Sequence, residues 1–190
     1  MNTLKLLLPG YAKKLKNGWR ANSAVVLIRT GKQNIIVDPG CHRQKLLAKL
    51  KQAGLAPAQI TSVFLTHRHI DHTLLGGIFP QAKIIDREII HDADRETEHR
   101  GFIPGTDLKI IKTPGHTADH ASLLVPTKLG KYLVAGDLFW WQDGQQPSLS
   151  PTAPDPFATN RKQLAQSRCR ALKLADWLIP GHGKTIKISV

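Results

Sequence analysis

The chain has 190 residues, 41% of them hydrophobic and 22% charged, a composition that excludes a disordered or fibrous protein and predicts one domain over residues 1–190. Lys and Arg number 27 against 14 Asp and Glu, a formal charge of +13, which favours anionic partners. Two cysteines make no disulfide framework, and no apolar run suits a membrane span or secretory leader, so a cytoplasmic protein with no membrane association is expected.

In chain order, a basic group (Lys13, Lys14, Lys16, Arg20) comes first. Residues 24–29 and 34–38 are β-branched runs joined through Gly31-Lys32, which predicts a hairpin ended by Asp38-Pro39-Gly40. Residues 43–53 carry Leu46, Leu47 and Leu50 at helical spacing, with Gly54 as the stop. Residues 61–66 read as a buried strand that runs into a histidine-rich loop, followed at 73–79 by a short packed helix entry around Gly76 and Gly77. Strands are expected at 82–85, 108–112, 121–125 and 131–135, and the mixed-charge stretch 86–100 is expected in solvent. The proline-rich stretch 142–160 predicts a surface loop. A helix over 159–174, with Leu164, Cys169 and Leu172 on one apolar face, precedes a last strand at 177–179. Helices on the outer faces of two packed sheets fit this order.

The sharpest chemistry lies in Thr66-His67-Arg68-His69-Ile70-Asp71-His72. In extended chain, residues two apart point the same way, so His67 and His69 can address one ion. Asp71 and His72 follow the turn and suit a second site beside it. His116, Asp137 and His182 each sit in a loop after an apolar strand, with glycine or proline alongside that permits close approach. Imidazoles with carboxylates suit zinc, and less selectively manganese or iron.

This series, with Asp38 in Val37-Asp38-Pro39-Gly40 ahead of it, resembles the metallo-β-lactamase superfamily, whose five motifs appear in order over roughly residues 24–185. The resemblance implies an α/β fold, a four-layer αβ/βα sandwich with the site along one edge. It implies that His67, His69 and His116 bind one metal, that Asp71, His72 and His182 bind a second, and that Asp137 bridges them. Two divalent cations about 3.5–4 Å apart would then generate a bridging hydroxide near neutral pH. By the same resemblance Asp71 orients the nucleophile and Asp38 fixes ligand geometry. His120 either touches the substrate, as a hydrogen-bond partner or proton donor, or is a supporting or merely a surface histidine. His42, His91 and His99 are expected to be ordinary loop histidines, and Cys41 a packed thiol.

Asp137 argues against ordinary β-lactamase activity. No C-terminal helical domain of the glyoxalase II type, nuclease cap or long transfer-RNA-binding arm is expected, and the resemblance then points to compact members, some linked to RNA cleavage. The charge places phosphodiester or RNA cleavage ahead of thioester or lactone hydrolysis. A non-catalytic metal-binding or interaction protein is the alternative of another class. Trp140 and Trp141 either wall the site or pack beneath the proline-rich loop, the second being favoured. Lys184 is either a contact for a substrate anion or a solvated turn residue.

Overall fold

Apolar alternation along the strands builds two sheets, and the computed structural model describes residues 1–188. The first sheet has seven strands in the order β1 (Thr3–Leu8), β4 (Val25–Thr30), β5 (Gln33–Val37), β6 (Ser62–Phe64), β7 (Lys83–Ile85), β8 (Ile89–Asp92) and β9 (Arg95–Glu98). The second has five, β10 (Lys109–Lys112), β11 (Ala121–Thr127), β12 (Gly130–Gly136), β13 (Trp177–Pro180) and β14 (Ile186–Lys187). A separate two-stranded hairpin joins β2 (Tyr11–Leu15) to β3 (Gly18–Asn22).

The period of two along a strand sorts the side chains into layers. Val26, Ile28, Ile35, Val37 and Phe64 face Leu123, Val125, Val134 and Ile179 across the inner core. Their neighbours Val25, Leu27, Ile36 and Val63 point outward, where Leu46 and Leu50 of α1 (Arg43–Gln52) cover them. A single helical turn, α2 (Ile70–Thr73), follows the histidine-rich loop. On the far side Leu133, Ala135 and Leu178 pack against Leu164 and Ala171 of α3 (Arg161–Leu172). The result is the expected four-layer sandwich, helix on sheet on sheet on helix.

The helix ends follow local chemistry. Gly54, at φ 72°, turns the chain back after α1 and lets Leu55 N–H reach the Leu50 carbonyl. The Asn160 side chain accepts from Gln163 N–H, 3.0 Å, at the start of α3. One detail of α3 differs from expectation. Cys169 is exposed, and the buried face is Leu164, Ser167, Arg168 and Ala171. Arg168 is 1% exposed because its guanidinium donates to three carbonyls, Leu138 (2.6 Å), Pro151 (3.2 Å) and Ala153 (2.6 Å). It holds the proline-rich loop by its own backbone, a bond pattern that periodicity does not reveal.

Three pairings extend the sequence reading. Strand β1 joins the edge of the first sheet beside β4. The mixed-charge stretch is a hairpin, β8–β9, whose second strand is fully exposed. Residues 11–22, expected only as a basic group, fold as β2–β3. Among the described residues no helix is long and apolar enough to cross a membrane.

The strand ends fix where chemistry is possible. The Asp38, His67, Asp137 and His182 loops leave the carboxyl ends of β5, β6, β12 and β13. Two backbone bonds sew the sheets together there, Ala121 N–H to Thr66 O (2.7 Å) and Ala24 N–H to Gly181 O (2.7 Å), while Gly181 N–H to Gly136 O (2.7 Å) ties the ends of β12 and β13.

Candidate metal centre

These loops converge on a buried cluster. The ligand atoms of His67, His69, His116 and Asp137 lie within 4.8 Å of one another, and so do those of Asp71, His72 and His182. The two groups meet at Asp137. Its Oδ2 lies 3.5 Å from His116 Nε2, 3.3 Å from His182 Nε2 and 4.0 Å from His67 Nε2. Its Oδ1 lies 3.3 Å from His72 Nε2.

The close approach depends on glycine. A Cβ on Gly181 would overlap Asp137 Oδ1 and crowd His72, and one on Gly136, which holds φ 54°, would press on Thr66 and His120.

Four of the imidazoles are turned by partners behind them. His72 Nδ1 bonds Asp38 Oδ2 at 2.8 Å, and His116 Nδ1 bonds Asp155 Oδ2 at 2.7 Å. His182 Nδ1 meets the Tyr11 carbonyl at 3.0 Å, and His67 Nδ1 meets Thr66 Oγ1 at 3.0 Å. A carboxylate or carbonyl can only accept, and Thr66 spends its proton on Asp38 Oδ2 at 2.7 Å. The Nδ1 protons are therefore fixed, and four Nε2 atoms face the centre, where a cation would take their lone pairs. His69 presents Nδ1 instead, 3.0 Å from His67 Nε2 and 3.1 Å from His116 Nε2.

This donor set fits a metal. One proton on His69 Nδ1 satisfies only one of its two close contacts, whereas a cation satisfies both. His72 Nε2 and Asp137 Oδ1 are buried without a hydrogen-bond partner, a costly state that a cation relieves. Imidazole nitrogens with carboxylate oxygens are the ligands zinc takes, and manganese and iron accept them too.

The protonation pattern carries the same strain. Burial raises the Asp137 carboxyl, but His182 and His72 beside it outweigh burial and hold it well below the carboxylate range. Burial lowers His72, and Asp137 and Asp38 outweigh it to hold the ring well above its ordinary value. His67 has burial and then His72 against it and is held well below. Without a cation, protons on some imidazoles balance the buried charge.

His120 stands behind the cluster. Its Nε2 accepts from the Asp137 backbone N–H at 3.1 Å and its Nδ1 meets Thr113 Oγ1 at 2.9 Å. Burial pushes its pKa down to about 3, so the ring is neutral near pH 7. Asp38, 1% exposed, accepts from Thr66 N–H and Thr66 Oγ1 as well as from His72. His42, His91 and His99 lie outside the cluster, bonded to Tyr11 OH, Glu96 and the Asp86 carbonyl. Lys184 is exposed and does not line the cavity.

A cavity of about 240 Å³ opens over the cluster, with His69, Asp71, Asp137 and His182 on its floor. Trp19, Ile70, Trp140 and Phe157 are among its walls. Trp140 is thus a wall residue, while Trp141 packs in the outer core with Leu138 and Phe139. Trp19 meets Trp140 edge-on, centroids 5.3 Å apart, and Phe157 closes on both. Sequence reading missed Trp19, Phe157 and Asp155. The one local signal was an acidic residue held between two prolines, Pro154 and Pro156.

Residues 18–104 match the family described as Metallo-beta-lactamase superfamily. The chain is 35% identical over 201 residues to Metallo-beta-lactamase domain-containing protein 1 of Xenopus laevis, covering 98% of this chain and 82% of that protein. A Thermotoga maritima protein superposes with a TM-score of 0.72 at 21% identity, covering 98% of this chain and 99% of that one. AidC, a dizinc quorum-quenching lactonase, does so at 0.63 and 19%, covering 87% and 74%. With its fold, its converging imidazoles and these relatives taken together, the chain belongs to the metallo-beta-lactamase superfamily and is a metal-dependent hydrolase.

Proposed function

We propose that this hydrolase cleaves phosphodiester bonds, RNA among them, using two divalent ions, zinc by preference. His67, His69 and His116 would hold one ion, Asp71, His72 and His182 the other, with Asp137 between them. Bound there, the ions supply Lewis acidity and make water acidic enough to react near neutral pH.

The observation that carries the substrate class is the β2–β3 hairpin. No Asp or Glu precedes Asp38 in the sequence, and Lys13, Lys14, Lys16 and Arg20 on this hairpin are all exposed. In its register Ala12 pairs with Ala21 and Lys14 with Trp19, so these four share a face. Ala12, Trp19 and Ala21 line the cavity, and Lys14 Nζ sits 4.4 Å from the Trp19 ring centroid. Lys13 and Arg20 share the opposite face. One hairpin thus offers cations for a phosphate backbone and an aromatic wall on which a base can stack.

Asp71 keeps its side chain 21% exposed, with Oδ2 3.5 Å from His182 Nε2. In this reading Asp71 orients the reacting water and takes its proton. His120 acts in this reading as a positioning residue: it holds the Asp137 backbone from behind, and both ring nitrogens are engaged. His120→Ala should lower stability by about 1–3 kcal/mol, the cost of a buried donor left unpaired, and reduce metal content and turnover together. Full metal content with turnover lost would instead place His120 in the chemistry. Thermal unfolding and elemental analysis separate the two.

A second reading, hydrolysis of a small thioester or lactone, is favoured by the cavity floor and walls, which include no lysine or arginine. Lactonase relatives share the fold. Bis-nitrophenyl phosphate and a short RNA should be compared with acyl lactones and S-lactoylglutathione on the zinc- and manganese-loaded protein. Turnover confined to the second pair would overturn the phosphodiester assignment. If the assignment holds, Lys14→Glu with Arg20→Glu should raise KM for the RNA. The logarithmic salt slope should flatten by roughly 0.7 for each phosphate that the variant no longer neutralises.

A further inference from the structure

Asp155 is the one carboxylate of the 142–160 loop that reaches the centre, and it is 4% exposed. Its two oxygens do different things. Oδ2 bonds His116 Nδ1 at 2.7 Å, and Oδ1 accepts from the Phe157 backbone N–H at 2.9 Å. Phe157 is a wall of the cavity and meets Trp19, Trp140 and the His116 ring, centroids 5.6, 5.1 and 6.5 Å apart. The next turn of loop is pinned to the same ligand's segment: Thr159 N–H donates to His116 O at 3.0 Å and Asn160 N–H to Gly115 O at 2.9 Å.

We infer that Asp155 is a positioning residue that couples the metal centre to the aromatic wall: by gripping His116 with one oxygen and Phe157 with the other, it makes the wall's order depend on the state of the ligand. The coupling rests on the His116 metal assignment and is independent of the substrate. A carboxylate suits it because it has two acceptor oxygens. An amide has one oxygen, so Asp155→Asn can accept from His116 or from Phe157 N–H but not from both. Fixing a histidine from behind sets its tautomer and raises its strength as a ligand, and losing such a partner typically costs 10–100-fold in metal affinity.

Zinc affinity, measured by competition with a chromophoric chelator, should fall about 10–100-fold in Asp155→Asn. In the wild-type protein, zinc should slow amide hydrogen exchange at residues 157–160, and in Asp155→Asn that slowing should vanish. Ser167→Ala is the control for loop anchoring alone. It removes the 2.8 Å bond to Pro114 O beside the same segment and should leave zinc affinity within about threefold, well inside the effect of losing a ligand's partner. The inference is overturned if Asp155→Asn keeps wild-type affinity, if Ser167→Ala loses as much, or if zinc leaves exchange at 157–160 unchanged in the wild type. A wild-type chain that takes up no zinc would refute the metal assignment and the coupling with it, an outcome distinct from the other three. The wild-type exchange measurement stands even if the variant fails to fold.

Discussion

Asp137→Ala should empty the centre of metal and reduce hydrolysis by more than the roughly hundredfold that removing an outer partner costs. Asp137 is the residue on which the two ligand groups meet, with both oxygens turned to imidazoles. Its removal takes the central anion from four histidines at once, His67, His72, His116 and His182. Without it, cations held among neutral rings would lose the charge that offsets them in a buried site. The alanine variant should fold, since the backbone N–H to His120 does not depend on the side chain. Elemental analysis of purified protein and turnover of whichever substrate the panel identifies test this. Two equivalents of metal with full activity in the variant would end the bridging assignment.

Asp38→Ala should be the most destabilising single change at the site, by about 3–5 kcal/mol, the range for removing one partner of a buried charged pair. Three groups lose their acceptor together: Thr66 N–H, Thr66 Oγ1 and His72 Nδ1. The backbone adds to the cost. Asp38 holds φ 48°, a left-handed conformation that aspartate and asparagine tolerate better than alanine. Asp38→Asn separates the two effects. It keeps the backbone preference and one acceptor, so the fold should survive. It no longer fixes the His72 proton on Nδ1, and metal should be lost first from Asp71, His72 and His182. Urea unfolding with metal stoichiometry checks both variants, and an unfolding midpoint unchanged by the alanine substitution would refute the argument.

The parts of the molecule legible in the sequence are those whose determinants are local. Strands β4 and β5, helix α1 and the His67–His72 segment each sit within a dozen residues, so periodicity, turn glycines and ligand spacing suffice to read them. Helix α3 shows where that stops. Its apolar spacing points to Cys169, yet the buried neighbour is Arg168, because three loop carbonyls outweigh the cost of desolvating its guanidinium. The hairpin at 11–22 was legible as charge and not as structure. Its strands, Tyr-Ala-Lys-Lys-Leu and Gly-Trp-Arg-Ala-Asn, show no apolar alternation, and Trp19 has no apolar run around it.

The sequence by itself determined the resemblance to the family, and the histidines and aspartates that could meet a cation, because these depend on residue type and short spacing; the element order fits the layers without fixing them. Only the tertiary structure decided which nitrogen each histidine presents, since that depends on what stands behind the ring: Asp38 lies 34 residues from His72, Asp155 lies 39 from His116, and the Tyr11 carbonyl lies 171 from His182. A proton's position on an imidazole is set by its nearest acceptor in space, and chain distance carries no record of it.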